Sequence, residues 1–169
     1  SGLCEKIVDK IATGEIPLRV THNDTKLNNV MLDDKTGKGI AVIDLDTVMP
    51  GSLCYDFGDS IRFGCNSAAE DDPDTSKVHF VFDLYKTYLA GYLSAVGKSI
   101  TQREKELLPW GAGLMTYECG MRFLTDYLEG DIYFRTQRER QNLDRARTQF
   151  KLVDEMQAMI DQMLAAVQT

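Results

Sequence analysis

One short β signal followed by helical periodicity through the rest of the chain is the feature that most restricts the fold. Two apolar runs, residues 30–32 and 40–43, flank a polar stretch with glycines at residues 33–39, which predicts a β-hairpin. From Tyr55 onward, apolar residues recur at steps of three and four, as on the core faces of helices. The sequence therefore predicts an α+β fold, mainly α, in which one hairpin packs on a helical bundle.

Capping signals give approximate helix boundaries. A first amphipathic helix is expected to end near Gly14, and another, beginning near Val78, to end near Gly97. Residues 101–104, TQRE, are a capping-box pattern that opens a further helix, which Pro109 could kink or restart. The same letters recur at residues 136–139, before a final helix that is expected to run to Val167.

Length and charge exclude several classes of protein. With 169 residues and 43% hydrophobic content, the chain is long enough for one domain, residues 1–169. Its net charge of −7 argues against a nucleic acid or an anionic membrane as partner. The four cysteines have no C-x-x-C spacing, which argues against a zinc site. Without a membrane-spanning run or a signal peptide, the sequence predicts a cytoplasmic protein.

Two carboxylates and an amide carry the chemistry. Asp24 is followed five residues later by Asn29, and Asp44 comes directly after the predicted hairpin. Because a hairpin returns the chain to where it began, the three side chains can meet, roughly within 5 to 8 Å of one another. Phosphoryl transfer needs such groups, one to orient and deprotonate the attacking hydroxyl and the others to hold magnesium against a triphosphate. Asp46, on the same side of an extended segment as Asp44, is expected to be a second metal or sugar contact.

The spacing of Asp24 and Asn29 is that of the protein-kinase catalytic loop, H-R-D-x-x-x-x-N, but Asn23 replaces the arginine and no D-F-G follows the hairpin. The sequence instead resembles the aminoglycoside phosphotransferase and choline kinase superfamily, whose loop reads H-x-D-x-x-x-x-N. Within it, the chain is similar to N-acetylhexosamine 1-kinase and its relatives. The similar segments are THNDTKLNN (21–29), VIDLDTVMPG (42–51), YDFGDSIR (55–62), CGMRFLTDYL (119–128) and NLDRARTQF (142–150).

The resemblance implies the larger, C-terminal lobe of a protein-kinase-like fold, with ATP and Mg²⁺ as cofactors. Asp24 would be the catalytic base, and Asn29 and Asp44 the magnesium ligands that hold the nucleotide. His22 would brace the loop rather than transfer protons. Asp56 would hydrogen-bond the backbone of the catalytic loop.

Residues that would contact the acceptor are less sharply indicated. Asp59 and Arg62 lie one helical turn apart, so they could form a surface ion pair or contact substrate. Arg122 and Asp126, spaced i, i+4, could pair with each other or line a sugar pocket. Aromatic residues nearby could supply the faces that a hexose needs: Trp110, Tyr117 and Tyr127.

A kinase of this type also needs a glycine-rich phosphate loop and a lysine paired with a helix glutamate, and neither precedes the catalytic loop here. We therefore expect the nucleotide-binding lobe to be absent from this chain, to be its partner in the full-length protein, and to be needed for activity. The expected reaction is transfer of the γ-phosphoryl group of ATP to a small-molecule hydroxyl, specifically the anomeric hydroxyl of an N-acetylhexosamine.

Two alternatives of other classes remain. Relatives with this pattern sometimes carry a desulfatase label, but the C-x-P-x-R motif of the usual sulfatases is absent around all four cysteines. A catalytically idle, kinase-like binding module is the other alternative. The presence of Asp24, Asn29 and Asp44 together argues against it.

Overall fold

The computed structural model describes residues 2–168. Within them, the helices are α1 (Gly2–Ala12), α2 (Leu53–Gly64), α3 (Phe82–Val96), α4 (Gln102–Glu129), α5 (Gln141–Ala158) and α6 (Ile160–Val167). The strands are β1 (Arg19–Thr21), β2 (Val30–Leu32), β3 (Gly39–Val42) and β4 (Met49–Gly51). The fold is mainly helical, as predicted. No helix in the described part of the chain is both long and apolar enough to cross a membrane.

The predicted hairpin is present. Strands β2 and β3 pair antiparallel, with Val30 opposite Val42, and Gly37 takes a φ of 66° in the connection. A second antiparallel pair, β1 with β4, was not predicted. Its strands are only three residues long and Val20 is 81% exposed. They therefore lack the alternation of apolar and polar residues from which a strand is predicted.

Three of the helix predictions are confirmed and four are wrong. Helix α1 ends before Gly14, α3 ends before Gly97, and Thr101 opens α4 with a complete capping box. Helix α3 starts only at Phe82, so Val78 precedes it. The buried Pro109 does not interrupt α4, because packing on both sides outweighs its local cost.

The second capping pattern does not cap a helix. Thr136 lies in the loop before α5, which begins at Gln141 after Arg140 with a φ of 61° and no side-chain cap. The expected single final helix is divided at Met159 into α5 and α6.

Helix α4 is the centre of the core, packing against α2 on one side and α5 on the other. The α2 and α4 backbones approach closely at two glycines. A Cβ on Gly58 would lie 2.3 Å from the carbonyl oxygen of Gly111, and one on Gly111 would lie 2.3 Å from that of Cys54. Only glycine allows this approach, which sets the position of α2 relative to α4.

Candidate active site

The loop that carries Asp24 is fastened to α2. The Asp56 carboxylate accepts hydrogen bonds from the backbone N–H groups of His22 and Asn23, each at 2.8 Å. The Thr25 hydroxyl donates to the carbonyl of Asp56 at 2.5 Å, and the Ser60 hydroxyl donates to the carbonyl of Thr25 at 3.0 Å. Four hydrogen bonds to one helix thus fix the backbone on both sides of Asp24.

Asn23 makes the turn in this loop. Its φ of 61° is in the left-handed region, which asparagine tolerates better than most residues. Its side-chain amide donates to the carbonyl of Thr47 at 2.9 Å, and the Thr47 hydroxyl donates to the carbonyl of His22 at 2.6 Å. The sequence prediction treated Asn23 only as a departure from the kinase loop and did not assign it this role. The left-handed preference of asparagine is the signal that could have indicated it.

His22 connects the loop to the end of the hairpin. Its Nε2 lies 2.9 Å from the carbonyl oxygen of Ile43, and its Nδ1 accepts from the Asp24 N–H at 3.3 Å. With Nδ1 as acceptor, Nε2 carries the proton that goes to the carbonyl. Both ring nitrogens are therefore engaged by the backbone, as expected of a bracing residue.

The Asp24 carboxylate is held on one side only. Its Oδ2 accepts from Asn29 Nδ2 at 2.8 Å and from Lys26 Nζ at 2.9 Å, and Asn29 also donates to the Asp24 carbonyl at 2.8 Å. Partial burial tends to raise the pKa of Asp24, but the hydrogen bonds from Lys26 and Asn29 outweigh it and leave the pKa below its usual value. The carboxylate is 26% exposed, so an ionised base is accessible here.

A cavity of about 440 Å³ opens beside Asp24. Charged side chains of both signs share its wall with aromatic rings. Its lining residues are Asn23, Asp24, Lys26, Thr47, Asp59, Arg62, Glu70, Met115, Glu118, Cys119, Arg122, Phe123, Tyr133, Phe134, Arg135 and Arg145.

Asp59 and Arg62 form a buried ion pair rather than the surface pair considered from the sequence. Arg62 Nε and Nη2 donate to Asp59 Oδ1 at 2.9 and 2.8 Å, and Nη1 donates to Glu70. Only 7% of Asp59 and 6% of Arg62 is exposed. Helical spacing predicted the pair but could not predict that α4 covers it. The two residues shape the cavity wall, and direct contact with a substrate stays a prediction.

Arg122 and Asp126 do not pair with each other. Arg122 points its guanidinium toward the cavity, 3.7 Å from Glu118 and 5.7 and 5.3 Å from the ring centres of Tyr133 and Phe134. The i, i+4 spacing therefore indicated the wrong partner. Arg122 lies on the wall of this cavity, and its contact with a substrate stays a prediction.

Asp126 anchors the loop after α4. The helix ends at Gly130, with a φ of 97°, and the chain turns back over the Asp126 side chain. Its buried carboxylate accepts from the N–H groups of Tyr133 at 2.7 Å and Phe134 at 2.9 Å, and from Asn142 Nδ2 at 2.8 Å. Asp126 thus positions the cavity wall without belonging to its lining.

The aromatic residues proposed from the sequence are not those that line this cavity. Trp110 lies under Lys6, with the ammonium 4.0 Å from the ring centre, and lines a different cavity. Tyr117 packs with Phe150, and neither Tyr117 nor Tyr127 is part of the described lining. The lining rings are those of Phe123, Tyr133 and Phe134, two of which lie on a loop whose position the sequence pattern does not specify.

The chain matches the family model of the phosphotransferase enzyme family over residues 6–106. It belongs to that family. Membership indicates transfer of a phosphoryl group to a small-molecule hydroxyl, with ATP as donor. The matched residues of this phosphotransferase include the Asp24 loop, the hairpin and all of α2 and α3. The wall built by Arg122 and the 130–140 loop lies beyond the match.

Two oxygen donors of the phosphotransferase could hold a divalent ion. The Ile43 N–H donates to the Asn29 carbonyl at 3.0 Å, which brings the backbone of Asp44 beside that of Asn29. Since Asn29 Nδ2 donates to Asp24, its Oδ1 is the atom left for a cation, and the Asp44 carboxylate is exposed. Hard oxygen ligands of this kind fit Mg²⁺. Among the side chains that the structure describes, no three of His, Cys, Asp or Glu are grouped to hold a metal, so water molecules and phosphate oxygens would complete the coordination.

Asp46 does not lie on an extended segment with Asp44, so the predicted geometry is wrong. Strand β3 ends at Val42, Asp44 takes a left-handed conformation (φ 61°, ψ 58°), and Leu45–Thr47 form one turn of 3-10 helix. The segment is not extended, so alternation does not place Asp46 on the same side as Asp44. The spacing therefore no longer supports a metal or sugar contact by the exposed Asp46, which stays a prediction.

Proposed function

We propose that residues 1–169 are the C-terminal, catalytic lobe of an ATP-dependent sugar kinase in which Asp24 is the general base. The observation that carries this proposal is the Asp24 carboxylate. One of its oxygens is fixed by two donors, and the residue borders a cavity large enough for a small molecule. That arrangement suits a base that must receive a proton from a hydroxyl at a defined position.

A sugar is the acceptor class that the cavity supports best. Its volume of about 440 Å³ is in the usual range for small-ligand sites. The rings of Phe123 and Phe134, with centres 4.7 Å apart, offer apolar contact to a sugar face. Guanidinium and carboxylate groups beside them can donate to and accept from hydroxyls. Together with the resemblance, this leads us to propose the anomeric hydroxyl of an N-acetylhexosamine as the attacking group.

The chain's own residues perform three tasks in this mechanism. Asp24 accepts the hydroxyl proton as the acceptor oxygen attacks the γ-phosphorus. Asn29 and Asp44 would hold Mg²⁺, which neutralises charge on the triphosphate when it is bound. Asp56 and His22 keep the loop in place, so that the base and the metal ligands stay in register. Positioning of this kind supplies much of the rate enhancement in phosphoryl transfer.

The nucleotide-binding lobe of the full-length protein is the proposed partner. Large apolar side chains that would ordinarily be covered are exposed on the two strand pairs and their connections. They are Leu18, Val20, Leu27, Val30, Met31, Leu32, Ile40, Val42, Ile43, Leu45, Val48 and Met49. We propose that this surface receives the other lobe and the base of the nucleotide, and that neither nucleic acid nor a membrane is a partner.

The proposal is tested by measuring ADP release from the full-length protein with ATP, Mg²⁺ and a panel of hexosamines, choline and aminoglycosides. We expect turnover with an N-acetylhexosamine and much less with the other acceptors. Preferred turnover of choline or an aminoglycoside would replace the acceptor. A full-length protein that releases no acceptor-dependent ADP would contradict the kinase assignment.

A further inference from the structure

The connection between α2 and α3 joins two walls of the cavity beside Asp24. It contains the acidic run of residues 70–74, EDDPD. Glu70 and Asp71 are the central residues of a turn in which the Asp72 N–H donates to the Ala69 carbonyl at 3.1 Å. We propose, resting on the proposed function, that Asp71 is a positioning residue for the acceptor, because it holds residues 137–141 and thereby sets the position of the acceptor wall.

Glu70 fixes the turn to the wall formed by α2. Its carboxylate accepts a hydrogen bond from Nη1 of Arg62, whose Nε and Nη2 donate to Asp59. Glu70, Arg62 and Asp59 all line the cavity. Because the Asp59–Arg62 ion pair is buried on α2, the turn has a defined position relative to that helix.

Asp71 fixes the same turn to the start of α5. Its Oδ2 accepts from Gln141 Nε2 at 2.8 Å, and its carbonyl accepts from Arg138 Nη2 at 2.5 Å. Gln141 Oε1 in turn accepts from the Gln137 N–H at 2.6 Å. Since only 7% of Gln141 is exposed, removal of the Asp71 carboxylate would leave a buried amide donor without its acceptor. The orientation of Gln141, and with it the backbone at Gln137, therefore depends on Asp71.

The segment that Asp71 holds is continuous with the acceptor wall. Tyr133, Phe134 and Arg135 line the cavity shortly before Gln137 in the chain. Asp126 fixes the beginning of this segment through the N–H groups of Tyr133 and Phe134. Asp71 fixes its end, so the wall is held on both sides of the residues that line the cavity. The turn thus sets the separation between this wall and the one formed by α2.

A solvated acidic loop without such a role explains these contacts less well. Asp72 is the next carboxylate of the run, and its described contacts lie within its own connection. It accepts from the Asp74 N–H at 2.9 Å, and Lys77 Nζ lies 4.0 Å from it. Neighbouring residues of the same type therefore differ in what they hold, which makes Asp72 the matched control for Asp71.

The test uses the full-length protein with Asp71→Ala, Asp71→Asn and the control Asp72→Ala, assayed by ADP release with an N-acetylhexosamine. We expect Asp71→Ala to raise the KM of the sugar about tenfold, as for a buried donor left without its acceptor, while kcat stays within about twofold of wild type. Asp71→Asn should restore the KM, since its Oδ1 can still accept from Gln141. Asp72→Ala should behave as wild type. A lower melting temperature of Asp71→Ala with unchanged KM would show a contribution to stability alone and overturn the proposal.

A second readout asks whether Asp71 acts through Gln141. Amide hydrogen exchange at Gln137 should become faster in Asp71→Ala and stay as in wild type in Asp72→Ala, with exchange in residues 22–29 unchanged in both. In a Gln141→Ala background, adding Asp71→Ala should raise the KM no further, because the two substitutions break the same contact. Additive effects on the KM, or unchanged exchange at Gln137, would refute this route.

Wild type in the same assay distinguishes failure of this proposal from failure of the proposed function. An active wild type whose KM and kcat are unchanged in Asp71→Ala refutes the role of Asp71 and leaves the sugar kinase standing. The same holds if kcat falls while the KM stays constant. A wild type without acceptor-dependent ADP release refutes the proposed function, and the acceptor role of Asp71 with it.

Discussion

The catalytic loop and the loop after α4 both line the cavity, and each is held by one carboxylate that accepts two consecutive backbone N–H groups. Asp56 on α2 receives those of His22 and Asn23. Asp126 on α4 receives those of Tyr133 and Phe134. The same device thus fixes two loops with different tasks. One carries Asp24, the proposed base, and the other carries the wall against which we propose that the acceptor binds.

The two regions differ in their relation to the family. The Asp56 anchor lies within the family match at residues 6–106, and the Asp126 anchor lies beyond it. We propose from this division that the residues that carry out the reaction lie within the matched part, and that much of the wall that selects the acceptor lies beyond it. We therefore expect variants in the first region to change the rate and variants in the second to change acceptor affinity.

The largest effect is expected from Asp24→Asn in the full-length protein. An amide cannot accept the hydroxyl proton as a base does, so kcat should fall about 10²- to 10⁴-fold. The dissociation constant of the sugar should change little, since the aromatic and arginine side chains of the cavity wall are untouched. Steady-state kinetics and sugar titration measure both quantities. Near-normal turnover in the variant would remove Asp24 from the mechanism.

A substitution at the helix crossing should damage both regions together. In Gly58→Ala, the new methyl group would lie 2.3 Å from the Gly111 carbonyl oxygen, so α2 and α4 must separate. We expect a loss of about 3 kcal/mol in the free energy of unfolding, measured by chemical denaturation. Gly91→Ala is the control, because a Cβ there has no neighbour within 4 Å and alanine favours the helix. Equal stability of the two variants would contradict the close crossing.

Asp126→Asn should give the opposite kinetic pattern to Asp24→Asn. The asparagine side chain keeps one acceptor oxygen, but an NH₂ group replaces the other and faces the backbone N–H groups of the loop. The N–H of Tyr133 or of Phe134 therefore loses its acceptor. We expect the sugar KM to rise about tenfold with kcat changed less, because a lost buried hydrogen bond loosens the wall. If kcat falls while KM stays constant, the separation of the two regions is wrong.

The smallest effect is expected for the ion pair that links β1 to α4, whose contribution to stability depends on pH. Arg19 of β1 donates to the buried Glu104 of α4 at 3.0 and 2.8 Å. Burial tends to raise the pKa of Glu104, but hydrogen bonds from Arg19 and Thr101 outweigh it and lower the pKa. A pKa that is lower in the folded state gives stability above the unfolded value and loses it as the pH falls through the folded value.

The stability advantage of wild type over Glu104→Gln should therefore be complete above about pH 5 and shrink as the pH falls below the ordinary glutamate pKa of about 4.3 and through the lower pKa of the folded state. Urea denaturation of both proteins across this range measures it. An advantage that grows toward low pH would show that the folded protein does not stabilise the ionised form of Glu104.

Local signals predicted the parts of this molecule that depend on neighbours in sequence. The capping box of Thr101 and Glu104, the β2–β3 hairpin, and the loop from Asp24 to Asn29 all lie within a few residues along the chain. The Asn29 to Asp24 hydrogen bond is of the same kind. Such features depend only on backbone geometry and on residues close together in the chain, so they can be predicted directly from the sequence.

The features that were missed depend on long-range packing. Asp126 was expected either to pair with Arg122, one turn away, or to line the sugar pocket, yet its partners come from the returning loop and from Asn142 on α5. Thr136 begins a capping-box sequence, but it lies in the loop between α4 and α5 rather than at the start of a helix. For Asp59 and Arg62 the sequence left a surface ion pair and a substrate contact open, because nothing in their spacing indicates what covers them.

The length of α4 has a consequence for how this molecule could diversify. At 28 residues it extends about 42 Å. It is tied to β1 at Glu104 near one end, to α2 at Gly111, and to the returning loop at Asp126 near the other end. The contacts at Glu104 and Gly111 fix α4 relative to the segments that hold Asp24. The contact at Asp126 lies several turns farther along the helix. Insertions or replacements after Gly130 can therefore remodel the acceptor wall while the alignment of Asp24 is inherited unchanged.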